Sequence, residues 1–433
     1  MTEGGAGRLD GAIAVGFGTS VAMWLLGYLA RFPPAPAPSW AVGVGMLACL
    51  LAGGVVLGRA GGAGWREGAL AGAIASVVNL LILGGLLGGE APNQIRPTAV
   101  WWLPGSLVLG ATLAAVGAAI SSRLRPAAAA PHDWCRALPK VAVAATFLLV
   151  VAGGLVTSNG AGLAVVDWPN SFGYNMFLYP LSRMTGGVYY EHAHRLFGAL
   201  VGLTTVALAV QVWRRERRPG VGALALAVVP LVIVQGILGG LRVTGRFTLA
   251  TSPDEVAPNL ALAVVHGTLA QLFLSLLVVL SAFTSASWRA APPARGDRRA
   301  GADRILTTLL VCALLVQLVL GALQRHLAAM LMVHIAFAVV VALLALAVGV
   351  RALGLYRDLP VLPALGRALI WLVCVQVTLG GLAFVAVTTR VSGVGPTVFE
   401  VVARTAHQVN GALLLAGAVL LLVWNRRLLR ADA

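Results

Sequence analysis

Long apolar runs dominate this chain, and short polar segments carrying most of its charge separate them. About twelve runs approach the roughly 20 residues that a helix needs to cross the hydrocarbon core of a bilayer. They lie near residues 11–30, 41–58, 69–89, 98–120, 141–157, 192–212, 221–241, 260–283, 305–323, 331–350, 368–387 and 405–424. The pattern predicts an all-α polytopic membrane protein of twelve spans.

Composition agrees with that reading. Of the 433 residues, 59% are hydrophobic and only 11% charged, against the roughly 25% charged residues of a soluble domain. The net charge of +16 changes the picture only through its distribution. With the first run leaving the cytoplasm, most Lys and Arg residues fall in cytoplasmic segments, including Arg214, Arg215, Arg217, Arg218, Arg298, Arg299 and Arg304. Both termini are then expected in the cytoplasm, and the basic excess is a topology signal with no nucleic-acid partner implied. The first run lacks a clear cleavage site and reads as a retained helix. Cys49, Cys312 and Cys374 lie within apolar runs and Cys135 in a cytoplasmic segment, so no disulfide is expected on the outer side.

The first 130 residues hold four predicted helices and no histidine. Gly84-Gly85 and Gly88-Gly89 suit close helix packing, and Pro33, Pro34, Pro36 and Pro38 make a stiff outer turn. A Pro- and Ala-rich linker at 121–140 separates this block from the rest. The expected organisation is an N-terminal four-helix extension (1–130) of unknown role, dispensable for turnover, followed by two four-helix repeats at 141–289 and 303–430.

The duplication rests on spacing. Gln235-Gly236-Ile237-Leu238-Gly239-Gly240-Leu241 recurs as Gln376-Val377-Thr378-Leu379-Gly380-Gly381-Leu382. His194 precedes Gln235 by 41 residues and His334 precedes Gln376 by 42; His266 and His407 follow their glutamines by 31 residues each. Two spacings that agree this closely indicate an internal repeat. Four helices per copy keep both copies in one orientation, as a parallel repeat.

In this topology all four histidines sit near the outer ends of their helices. Facing imidazoles from two helices of a bundle are a common way to hold a haem iron. Zinc would need three or four close ligands, and no cysteine lies near these positions. Glu191-His192-Ala193-His194-Arg195 adds ionisable groups, which are costly in a membrane helix. At about 100° per residue, Glu191, His194 and Arg195 share a face while His192 points away from it. Aligning His334 with His194 puts Leu331 opposite Glu191 and Ile335 opposite Arg195, so chemistry is expected in the first half and electron transfer in the second. His192 and His326 have no repeat partner and read as interfacial or supporting residues. Arg195, Arg242, Arg246 and Arg325 are candidates to pair haem propionates.

Several motifs, in order over roughly residues 140–425, resemble the haem A synthase family of cytochrome oxidase biogenesis. They are Gly153 to Ala164, Asp167-Trp168-Pro169, Gly187 to Arg195, Gln235 to Val243, His266 with Gln271, and His407-Gln408 with Gly411 to Leu414. The resemblance implies an eight-helix, twofold-repeated membrane enzyme that oxidises the C8 methyl group of haem O to the formyl group of haem A. It implies His194 and His266 as ligands of the substrate haem, His334 and His407 as ligands of a haem b, and Glu191 as the functional carboxylate. The outer-loop cysteine pair of some members has no counterpart in residues 158–190. Implied partners are haem O, haem O synthase and oxidase assembly factors, an electron-transfer partner and membrane lipid, with a homo-oligomer compatible. The implied location is the inner or plasma membrane of a bacterium. The alternative is a di-haem b electron-transfer protein.

Overall fold

The computed structural model describes residues 3–431, apart from 34, 62–63, 83, 90, 125–131, 245–258 and 392. Arg246, Pro34 and the alanine run after Pro126 therefore lie outside the described residues. The long helices are α1 (Glu3–Ala30), α2 (Ser39–Gly61), α3 (Trp65–Ile82), α4 (Ala99–Arg123), α5 (Ala137–Ser158), α6 (Gly186–Arg215), α7 (Pro219–Val243) and α8 (Leu260–Thr284). After a one-turn α9 (Ala286–Arg289) come α10 (Ala300–Leu327), α11 (Leu331–Leu355), α12 (Val361–Thr388) and α13 (Val398–Leu428). Among the described residues, 11 of these helices are long and apolar enough to cross a membrane. Their outward surfaces are apolar, with Leu343, Trp371, Val100 and Trp101 all strongly exposed, as lipid contact requires. This is an integral, multi-pass, all-α membrane protein.

The expected span at 69–89 is helical over part of its length. The run at 69–89 folds as the 18-residue α3, followed by a 3-10 turn at Gly84–Leu86. Two glycine pairs in succession are poor helix formers. They do permit close approach, but to loop backbone: a side-chain carbon at Gly84 would lie 2.7 Å from the Phe177 carbonyl oxygen, and one at Gly88 2.5 Å from that of Leu178.

The chain divides into two compact units. The first comprises 1–152 and 163–233. In it, α1 packs against α2, α3 and α6. Tyr28 of α1 stacks on Tyr189 of α6 with ring centres 5.2 Å apart, Trp24 meets Phe197 edge-on at 5.4 Å, and Phe32 meets Tyr190 at 5.8 Å. Asp10 of α1 pairs with Arg215 at the far end of α6 at 2.9 Å. The N-terminal block is thus built onto α6 along its length.

The second unit comprises 153–162 and 234–433. Helices α10, α11, α12 and α13 contact one another in sequence, and α10 contacts α13, so the four close a ring. Its core holds Leu310, Leu314, Val341, Ala345, Leu369, Val373, Leu414 and Leu421, and α8 packs on α10 and α13. One end is locked by Asp303, which accepts from Arg351 Nε at 2.6 Å and from the Tyr356 hydroxyl, and by the short parallel pairing of β3 (Arg295–Gly296) with β4 (Leu429–Arg430).

Candidate functional site

The second unit brings two of the four histidines face to face. His334 lies in the first turn of α11, its backbone N–H donating to the Met330 carbonyl at 2.8 Å. The link from α10 is only three residues long and turns by placing Ala328 (φ 51°) and Met330 (φ 72°) in the left-handed region, which non-glycine residues adopt at a cost. His407 lies in α13, which starts with Thr397 accepting from the Glu400 N–H at 3.1 Å, an N-cap of the Thr-x-x-Glu type. The rings of His334 and His407 have centres 6.3 Å apart and planes at 82°. Two imidazoles on opposite sides of one iron place their ring centres roughly 6 Å apart, because each metal–nitrogen bond is about 2 Å. The pair therefore fits a bis-histidine haem. A bare metal ion is a poorer match: among the described residues no three His, Cys, Asp or Glu side chains gather as a ligand set.

Each ring is held from the preceding helix. Gln317 of α10 donates to the His334 carbonyl at 3.0 Å and lies 3.1 and 3.5 Å from its two ring nitrogens. Gln376 of α12 lies 3.2 and 3.4 Å from those of His407. Asn410 donates at 2.7 Å to the Gln376 side-chain oxygen and at 2.9 Å to the Leu372 carbonyl. His266, on α8 in the same unit, has its carbonyl bonded by Gln235 at 3.2 Å. Only Gln235 and Gln376 stood out in the sequence, as repeat markers. Gln317 and Asn410 did not, because neither has a repeat counterpart.

The arginines turn inward to the protein. Arg325 donates to the Gly154 carbonyl (3.0 Å), the Ser158 hydroxyl (2.7 Å) and the Arg404 carbonyl (3.4 Å). Arg242 closes on the backbone at Gly162. Sequence reading also missed Glu400, buried on α13 two turns before His407 and paired with Arg404 at 2.7 Å and Arg390 at 3.6 Å. The second half therefore has its own buried carboxylate and guanidinium, on the helix that carries His407. They lie three and seven residues before His407 on α13, a helix that aligning His334 with His194 does not reach.

In the first unit, α6 carries Glu191, His192, His194 and Arg195 beside the loop that joins α5 to α6. Arg195 donates to the carbonyls of Val165 (2.6 Å), Asp167 (2.7 Å) and Asn170 (2.9 Å), and to Glu191 Oε1 at 3.0 Å. Glu191 Oε2 accepts from the Val165 N–H at 3.0 Å. Both side chains are buried, at 9% and 5% exposure. Arg195 is thus a loop clamp, with donors on three protein carbonyls. His192, fully buried, hydrogen-bonds the Ser171 hydroxyl at 3.1 Å and packs its ring 4.9 Å from Tyr179. Asp167 accepts from the N–H groups of Phe172 and Gly173, both at 2.8 Å, shaping the turn between β1 (Asn170–Ser171) and β2 (Tyr174–Asn175).

Comparison with known proteins bears on these same residues. Residues 136–335, which include Glu191, His194, His266 and His334, match the model of a family described as Cytochrome oxidase assembly protein. The matched segment is somewhat less than half of the chain. A relative named Heme A synthase, from Shouchella clausii (strain KSM-K16), is 31% identical over 121 residues, which is 27% of this chain. The matched stretch spans 39% of that relative's length. The family segment takes in α5 to α10 and ends just after His334, so it includes three of the four repeat histidines and stops short of His407.

Proposed function

We propose that this chain is a haem A synthase, oxidising the C8 methyl group of haem O to the formyl group of haem A. The observation that carries the reading is the facing of His334 and His407 within one closed helix ring, in a chain whose residues 136–335 match the assembly-family model. His334 and His407 hold a resident haem b. The register of the repeat gives His194 and His266 the same role toward haem O. Bound haem supplies the redox chemistry, and the protein supplies position and proton handling. Glu191, one helical turn from His194, takes protons released as the methyl group is oxidised. Arg195 holds that carboxylate and the outer loop together, while Arg242 and Arg325 order the backbone of residues 154–162. Haem O synthase, oxidase assembly factors and an electron acceptor are the partners this activity calls for, in a bacterial inner or plasma membrane with both termini cytoplasmic.

The test uses the full-length protein in detergent. Absorption spectroscopy should show a low-spin b-type haem, and haem chromatography after supplying haem O should show hydroxylated or formylated product. Haem b with no modified haem would make the chain a di-haem b electron carrier instead. A protein with no Soret band would overturn both readings.

A further inference from the structure

Three of the four repeat histidines meet the same pair of residues on the helix before them, a glutamine and, four positions later, a glycine. The pairs are Gln235 and Gly239 for His266, Gln317 and Gly321 for His334, and Gln376 and Gly380 for His407. Residues four apart share a helix face; Gln317 and Gln376 reach the ring itself, and Gln235 the His266 carbonyl. A side-chain carbon at Gly239, Gly321 or Gly380 would lie 3.2, 3.0 or 3.1 Å from the Cε1 atom of its histidine. Each glycine thus leaves room for a ring edge, and α5, which precedes His194, contains no glutamine at all.

The glutamines meet the two rings of the facing pair in a specific way. Each amide nitrogen is nearly equidistant from both ring nitrogens, 3.1 and 3.5 Å for His334 and 3.2 and 3.4 Å for His407. A donor on the lone pair of one nitrogen would be clearly nearer to that nitrogen. The amide therefore lies over the N–Cε1–N side of the ring and restrains rotation of its plane, leaving the in-plane direction of Nε2 to a ligand. In α12 the restraint is itself restrained. Asn410, one turn after His407 on α13, commits the Gln376 oxygen and ties itself to the Leu372 carbonyl, so the amide cannot turn over without losing a hydrogen bond.

We propose that Gln317 with Gly321, and Gln376 with Gly380 and Asn410, are positioning groups that fix the ring planes of His334 and His407 nearly perpendicular. Gln235 and Gly239 give His266 the equivalent hold. The proposal rests on these histidines being haem ligands and adds what sets their orientation. Groups that orient a metal-ligating histidine tune the metal's electronic state as well as its affinity. Perpendicular imidazole planes leave the iron d orbitals nearly degenerate, which gives a highly anisotropic low-spin ferric signal.

Electron paramagnetic resonance of the ferric full-length protein reads this directly, with haem content measured separately. Wild type should give the highly anisotropic signal. Gln376→Leu should keep haem but lower the largest g value, as the His407 ring relaxes from the perpendicular. Asn410→Ala, which removes no group in contact with the ring, should shift it in the same direction by less, and it decides the matter should Gln376→Leu fail to fold. Unchanged g values at full haem content, in Asn410→Ala and in Gln376→Leu where it folds, would overturn the positioning role. Wild-type protein lacking a low-spin haem would instead overturn the ligand assignment beneath it.

Discussion

Glu191 is asked to do two jobs, and substitution separates them. Its two oxygens take one bond each, from Arg195 Nη2 and from the Val165 N–H, both at 3.0 Å. Glu191→Ala removes both acceptors and leaves a buried guanidinium without its counter-charge, which costs about 3–5 kcal/mol. Glu191→Gln keeps the shape but offers one acceptor oxygen, so one bond to a charged partner is lost, at about 1.5–3 kcal/mol. For a unit of this size each kcal/mol moves the melting temperature by about 2–4 °C. Melting in detergent should therefore fall by roughly 3–12 °C for the Gln variant and further for Ala. The outer loop should become protease-sensitive in step, because Arg195 and Glu191 are what tie Val165, Asp167 and Asn170 to α6. An Ala variant that melts like wild type, with its loop equally resistant, would refute the clamp. The catalytic role is read separately: at matched folded, haem-loaded protein, Glu191→Gln should slow haem O conversion by about 10²-fold or more. Near-normal conversion would defeat that assignment while leaving the clamp intact.

Other expectations are as direct. His334→Ala and His407→Ala should each abolish the low-spin b-type spectrum, and an unchanged spectrum in both would sink the haem b site. Residues 1–130 brace the loop between α5 and α6: Arg31 donates to the Leu181 carbonyl at 3.4 Å and Asn93 accepts from the Asn175 N–H at 2.7 Å. A chain starting near Asp133 should insert and bind haem through His334 and His407, yet show a protease-sensitive outer loop and reduced turnover; full turnover would show the bracing to be idle. Asp303→Ala should cost about 1.5–3 kcal/mol, chiefly by leaving the buried Tyr356 hydroxyl without its charged acceptor, seen as a lower melting temperature, and an unchanged melt would count against the lock between α10 and α11.

The sequence by itself determined the elements and the candidate ligands. Helices in a bilayer must satisfy their own backbone and expose apolar side chains, so their positions are written in local composition. The duplicated spacing of His194, His266, His334 and His407 is likewise a one-dimensional fact. Only the tertiary structure decided what surrounds each group. Whether Arg195 meets a propionate or three loop carbonyls depends on the path of residues 163–175, which no periodicity encodes. Glu400 and Arg404, four apart on α13, were legible in the sequence. Gln317 matters through the His334 ring and Asn410 through Gln376, both reached across helix interfaces, so neither stood out by spacing. The α3 run shows the same limit, since a string of glycines reads equally as a span or as a turn. What settled it was the loop backbone lying against Gly84 and Gly88, a contact between residues about 90 positions apart.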